Sequence, residues 1–552
     1  MKNNFTFNDD HIFSVDVSHD ELGQIGSASL TFGPKQAISL KFKHGAFGKL
    51  EAGTKYDRLI ATVQDGQVFT LFNCELHFIA VYADYIVAGD TADAFDLAEI
   101  EMTHVTSWFF QFQRIAGDVG TSVEWKNRPS SVSADVISPL GDFSLAITPY
   151  TELIEIDGGN EIRDSAVLSI ENFQCDFTLC NFRSIITSLC TLFSIILAQP
   201  VSVISVRVRS KSGKSLSLYF PHYEKIEDTD NRLDDRMRFL LKRHLFDGSW
   251  QTIAQSFFNS DLREPSWLRL SSMKRYQDFW EYKVAAYVFI LDSYVDFKTK
   301  TLPKKANKSA TYKIDMLKAR LQALHSTLTQ QQSDEFVALA TEIFGTKDHT
   351  FREKYQHVVS QVDANVIKII NLTDDNFTDL KRFRDDVAHG NPLNVDGALS
   401  SRMPQLTDKL SLLLTYFAFL DFGLASQDFI ACLSQTWNRI VLNSEINQLH
   451  LDRVNESAEF IAVSAETLEQ FKQKTKMKAF CCFDVTPGAE PTFSEHNTDL
   501  YYKQLFAKKL PGASQDLNEF FQVAGKKVRT VGKLYFEYGD DHLQLNHVFL
   551  FE

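Results

Sequence analysis

An arginine and a histidine five positions apart give the chain its clearest chance of chemistry. They stand in Arg384-Asp385-Asp386-Val387-Ala388-His389-Gly390-Asn391-Pro392. A guanidinium is a permanent, planar cation whose donor fork matches the oxygens of a phosphate. An imidazole titrates close to neutral pH and can take or give a proton. Together the two side chains could clamp a phosphodiester and move the protons that its cleavage requires.

The elements that must hold them can be read from the flanking residues. A helix is expected to begin near Thr373 to Asp375, whose side chains can accept the first free backbone N–H groups. Phe377, Leu380, Phe383 and Val387 then recur at spacings of three and four, which gives one apolar stripe. Gly390 and Pro392 stop the helix. Arg384 falls at the edge of the stripe, where it must be paired or face a cleft, because desolvating an unpaired guanidinium is costly. His389 falls in the last turn, where the helix dipole favours a cation. Five residues at about 100° each put the two side chains roughly 140° apart around the axis. One straight helix therefore cannot aim both at a single phosphate. Either the helix ends before His389, or two copies of the motif meet across a two-fold axis.

An Arg, four residues, then a His at the end of a helix, followed by Gly-Asn-Pro and flanked by further helical sequence, resembles the signature of HEPN ribonucleases. The resemblance implies a small helical domain that pairs with a second copy and cuts RNA with no metal and no cofactor. It implies His389 as acid or base, Arg384 as phosphate clamp, and Asp385 as the residue that orients one of them. HEPN motifs frequently carry Asn where this chain has Asp385, which sets a negative charge beside the phosphate. The plain alternative for the motif is a capping histidine beside a surface arginine. The alternative in function is a non-catalytic HEPN scaffold that binds a protein or nucleotide partner.

The composition is that of an ordinary globular chain. Its 552 residues are 44% hydrophobic and 23% charged, enough for two to four domains. A net charge of −14 argues against general coating of nucleic acid, though not against a local basic cleft. Cys74, Cys175, Cys180, Cys190, Cys432, Cys481 and Cys482 make neither a CxxC pair nor a ligand pattern with histidine, which fits reduced thiols in a cytoplasmic protein. The apolar run from Ile185 to Ala198 is too short to span a bilayer and reads as a buried helix stopped by Pro200, so no membrane partner is expected. Asp374-Asp375 and Asp385-Asp386 could be imagined as carboxylates for two metals, but the first pair suits a helix N-terminus better.

The expected architecture is multidomain α+β. Residues 1–225 read as a β-rich domain, with strand-like runs at Ala28–Phe32, Ala37–Phe42, Val68–Phe72 and Ala166–Ile170, separated by turns such as Gly33-Pro34, Asp65-Gly66 and Asp157-Gly158-Gly159. Leu59 to Leu71 and Trp108-Phe109-Phe110 resemble the N-terminal domain of ApeA-type proteins, a β-rich module that precedes a HEPN domain in bacterial anti-phage systems. That resemblance implies abortive infection through cleavage of host RNA such as transfer RNA, in response to an unidentified phage trigger. Residues 226–265, rich in alternating charges around Arg236 to Arg243, read as a solvated helical connector. Residues 266–445 read as an all-α bundle, the HEPN part, with central helix Phe279–Tyr294 and further helices over Met316–Leu328, Phe336–Phe344, Phe351–Ile370, Leu406–Leu424 and Phe429–Val441. Inside it, Lys298, Lys300, Lys304, Lys305 and Lys308 crowd a loop without acidic residues and are candidates for holding RNA phosphates. Residues 446–552 read as a small α+β unit whose last segment, Leu543 to Phe551, is expected as an edge or closing strand.

Overall fold

The computed structural model describes residues 5–42, 49–78, 80–110, 115–116, 124–125, 129–156, 159–172, 177–226, 235–323, 328–390, 397–475, 478–507, 517–523 and 526–552. The Asp157-Gly158 part of one expected turn, Cys175, and the Asn391-Pro392 end of the motif lie outside them. The protein is α+β: a β-rich N-terminal domain that contains a barrel, a helical region, and a C-terminal part built on a sheet. It divides into two compact units, Met1–Ile446 and Asn447–Glu552.

Among the described residues, thirteen strands of the first unit form one sheet. Six of them close on themselves: Val68–His77, Lys55–Val63, His11–His19, Gly23–Gly33, Gln36–Phe42 and Ala80–Ala83, which pairs back onto Val68–His77. Closure satisfies strand edges that would otherwise be open. Alternation supplies the interior, with Val15, Val17, Leu30, Phe32, Leu40, Leu59, Ala61, Phe69 and Leu71 all buried. The sheet then runs on through Phe95–Met102 to the long hairpin Gly141–Ile156 and Gly159–Asn172. Its last strand, Val132–Ser138, is covered rather than free. Gln251 and Gln255, on the helix Trp250–Phe258, exchange hydrogen bonds with the backbone of Asp135 and Ile137 as a neighbouring strand would.

The expected apolar helix is present as Leu179–Ile196, started by a capping box in which Thr178 and Asn181 satisfy each other's backbone N–H groups. Among the described residues it is the one helix long and apolar enough to cross a membrane, and 67% of it is buried within the protein.

Residues 226–265 require a correction. The connector's stretch from Arg238 to Arg243 is buried, not solvated. Phe239, Leu240 and Leu241 are fully buried, and Arg238, Lys242 and Arg243 are at most 9% exposed. The backbone N–H groups of Leu240 and Leu241 donate to the carbonyls of Leu197 and Ile196, at the end of the buried helix. Buried Asn438 donates to the Arg238 carbonyl at 2.6 Å, and Thr436 to that of Phe239 at 3.0 Å. The charges are tolerated because each finds a local partner. Arg243, for example, lies 4.0 Å from the Phe109 ring centre and donates to Asp247 and the Ser130 carbonyl. The segment is thus a keystone between the β domain and the helices.

In the helical region the central helix is Trp280–Lys298, packed against Phe351–Ser360, the motif helix Asp374–His389 and the long helix Gly397–Asp421. Two expected helices are each broken in two. Phe351–Ser360 and Ala364–Ile370 are separated because Asp363 caps the second, and Ser426–Gln435 and Arg439–Asn443 because Asn438 does. Lys308–Ala323 and Gln330–Phe344 pair as a hairpin whose apolar side chains Tyr312, Phe336, Leu339 and Ile343 stay exposed.

The second unit is a five-stranded mixed sheet in the order Glu459–Ala462, Val528–Tyr538, Asp541–Phe551, Cys482–Asp484, Thr492–Phe493. Asp541–Phe551 is its middle strand, not an edge. Its unbroken end Val548-Phe549-Leu550-Phe551 is buried on both faces, the mark of a strand covered on two sides.

The keystone makes one expectation concrete. Trp108 is fully buried, packs on Phe246 at 4.8 Å, and donates its indole N–H to the Leu241 carbonyl at 2.7 Å. Trp108→Ala should cost about 3–5 kcal/mol, read as a fall in the urea midpoint of the first unfolding transition. A loss below about 1 kcal/mol would mean the segment is not structurally required.

Candidate functional site

Local sequence sets the motif helix. Thr373 is the N-cap, and its hydroxyl and the Asn376 side chain form a capping box; Asp374 and Asp375 occupy the first turn. Phe377, Leu380 and Phe383 are buried, and Phe377 stacks on Tyr355 at 4.2 Å. The helix ends on Gly390, whose φ of 65° is the left-handed cap that glycine takes without strain. It therefore continues through His389. The first way of joining the two motif residues, an early helix end, is removed.

Arg384 is 18% exposed and lies against the central helix. Its Nη2 donates to Asp292 Oδ2 at 2.5 Å and its Nη1 to Asp385 Oδ1 at 2.7 Å. Its guanidinium sits 5.3 Å from the Phe289 ring centre and 5.6 Å from that of Phe351. Its buried Nε has no hydrogen-bond partner among the described residues. Burial raises the Asp292 carboxyl, and Arg384 pulls in the opposite sense without cancelling it. Burial also works against the Asp385 carboxylate, but Lys381, at 2.6 Å, and Arg384 outweigh it and hold the group below its ordinary value. His389 is exposed in the last turn. The structure thus brings Arg384 and Asp385 together and places His389 apart from them on the same helix.

The five lysines are not one loop. Lys298 is in the central helix, 3.8 Å from Asp421. Lys304 is 3.5 Å from Asp348, and Lys305 is paired with Glu353. Lys308 begins a helix. Three of the five already face a carboxylate, which leaves Lys300 and Lys308 as the ones without such a partner among the described residues.

Asp292 was not singled out by the sequence reading. Its signal is present all the same: a carboxylate closing the apolar run Val288-Phe289-Ile290-Leu291 on a buried helix needs a cation.

Residues 24–257 match the family model for ApeA N-terminal domain 1. No curated protein and no solved structure matches the chain. The barrel-bearing N-terminal part thus contains an ApeA N-terminal domain 1, which supports an ApeA-type protein. The match stops short of the central helix, so the motif helix lies outside it.

The ion pair can be weighed directly. Asp292→Ala strands a mostly buried guanidinium and should destabilise by about 1–3 kcal/mol. Adding Arg384→Met should recover most of that loss, because removing both partners leaves no uncompensated charge. A double-mutant cycle by chemical denaturation that gave purely additive losses would show that the two do not interact in solution.

Proposed function

We propose that this ApeA-type protein is a defence effector whose helical region is a metal-independent endoribonuclease of HEPN type. It would act by abortive infection, cutting host RNA such as transfer RNA. The reading is carried by one observation: a single unbroken helix holds a braced arginine and an exposed histidine on different sides. Such a pair becomes one site only when a second copy supplies the missing partner.

The chemistry follows from the residue types. The 2′-oxygen forms a bond to phosphorus as its proton passes to a base. The bond from phosphorus to the 5′-oxygen breaks as that oxygen takes a proton from an acid. In each composite site, His389 of one copy would take the 2′-proton and return it to the 5′-oxygen, and Arg384 of the other copy would steady the charge on the phosphate oxygens. Asp385, bonded to Arg384, would position the guanidinium and not act as base. The products carry 2′,3′-cyclic phosphate ends, and DNA, lacking the 2′-hydroxyl, is inert.

A surface for the second copy is available. Tyr282, Phe289 and Phe297, seven and eight residues apart on the central helix, are 61%, 43% and 40% exposed, and Phe289 is the ring beneath Arg384. A second reading, a non-catalytic scaffold, is favoured by the engagement of both Nη atoms of Arg384 with carboxylates. A phosphate would have to displace one of them.

The decisive measurement is RNA cleavage with mixed variants. Arg384→Ala and His389→Ala should each abolish cleavage in EDTA. Mixed in equal amounts, they should regain about a quarter of wild-type activity, because half the dimers then hold one intact composite site. No cleavage by the wild type under any inducing condition would establish the scaffold, and full activity of His389→Ala would end the assignment of that residue. Separately, Phe289→Glu should shift sedimentation from dimer to monomer, whereas Phe336→Glu on the exposed hairpin should not; a wild type that sediments as a monomer would remove the composite site.

A further inference from the structure

A cavity of about 580 Å³, in the range of small-molecule sites, opens beside the keystone segment, and no residue of the motif helix lines it. Lys274, at the end of the helix Arg269–Arg275, lies in its wall. The amino group of Lys274 donates to the Ser411 hydroxyl at 2.9 Å and not to a carboxylate. Ser411 is itself buried and is also hydrogen-bonded to the buried Tyr287 hydroxyl. An amine placed on a neutral hydroxyl at the edge of an open space differs from a lysine in water, because little around it rewards the ammonium form.

The titrating groups of the cavity agree with that geometry. Burial pushes Lys274 down to about 7; Asp408 opposes the fall, and Lys283 adds a smaller push in the same direction as burial. About half of these amines are then uncharged at neutral pH, against roughly one in 2,500 for an ordinary lysine near 10.4. Burial raises the Asp408 carboxyl, and Asn443, Lys283 and Lys274 pull against it without cancelling it. Burial also pushes His104 down to about 4, with Arg238, Lys225 and Arg275 adding to it, so the ring is neutral. Tyr276, Tyr287, Asp278 and Arg439 are the other titratable groups of the wall, and the last two are exposed. Charges of both signs therefore line the cavity, and what sets it apart is an uncharged amine facing it.

We infer that Lys274 is a nucleophilic amine that captures a small aldehyde or ketone in this cavity as an imine. The nitrogen lone pair forms a bond to the carbonyl carbon while one amine proton passes to the carbonyl oxygen. The C–O bond then breaks, and the oxygen takes a proton from Asp408 and leaves as water. The last proton on nitrogen returns to Asp408, and a C=N bond remains; nothing is oxidised or reduced. The site shares no residue with the motif, so it stands or falls independently of the ribonuclease reading.

Reductive labelling of the full chain tests it, with benzaldehyde as the carbonyl probe, sodium cyanoborohydride to trap the imine, and peptide mass spectrometry to locate the label. At pH 7 Lys274 should be labelled at least ten times as fast as Lys55, an exposed lysine of the barrel. Its rate should level off above about pH 7, where the amine is already free. Asp408→Asn removes a group that favours the ammonium, so it should move that midpoint to lower pH; Lys283→Gln should move it to higher pH. Circular dichroism checks that both variants keep the wild-type fold. Labelling of Lys274 no faster than of Lys55 in the native chain would overturn the inference. The same preference for Lys274 in the urea-unfolded chain would overturn it too, because the cavity would then contribute nothing.

Discussion

The helical region depends on how one guanidinium is kept out of water. Arg384 is mostly buried, and a cation there is tolerable only because Asp292 and Asp385 each take one of its nitrogens. That pairing links the central helix to the motif helix in a fixed register, since a guanidinium fork accepts its partners only in its own plane. It also fixes what Arg384 can do. Its Nη atoms are spent in the isolated chain, while its Nε is buried without a partner. A phosphate arriving at this place would be received by a group already held in orientation, provided a carboxylate gives way. Burial already disfavours the charged form of Asp292, so that carboxylate is the weaker competitor of the two.

The central helix joins this region to the cavity beside the keystone segment. Trp280 lies in the cavity wall and stacks on Phe383, the neighbour of Arg384 on the motif helix. Twelve residues separate Trp280 from Asp292, or about 18 Å along the axis. A rigid helix that touches an open cavity at one end and braces an arginine further along is the kind of continuous element through which two places can influence each other.

Much of the architecture could be read from the sequence, and the exceptions share a cause. Gly23–Gly33 could be placed because it alternates over a half-buried surface, and Gln36–Phe42 and Val68–His77 because each carries a short apolar run of strand length bounded by turn residues. The motif helix was legible at both ends, since Thr373 and Gly390 act through their own backbone. What escaped was set by distant partners. Arg238, Lys242 and Arg243 look like a solvated face until the carbonyls and rings that receive them are known, and those come from elsewhere in the chain. The Asp541–Phe551 strand reads as an edge by its alternating first half, but its apolar last four residues decide its place in the sheet. Asp292 escaped for the same reason: its meaning depends on an arginine 92 positions away.

The same logic bears on how such a chain could meet RNA. A net charge of −14 repels a polyanion at long range, so electrostatic steering cannot bring the two together as it does for basic nucleases. The lysines that looked available at 298, 304 and 305 face Asp421, Asp348 and Glu353, which reduces their pull on phosphates. Arg384 is mostly enclosed, so it acts only at contact distance. Recognition built this way engages few phosphates and has a shallow dependence on salt, and it must draw its selectivity from shape. A folded RNA loop fits that constraint better than an extended strand does, because a loop presents a few phosphates in a fixed arrangement without requiring a basic track on either side.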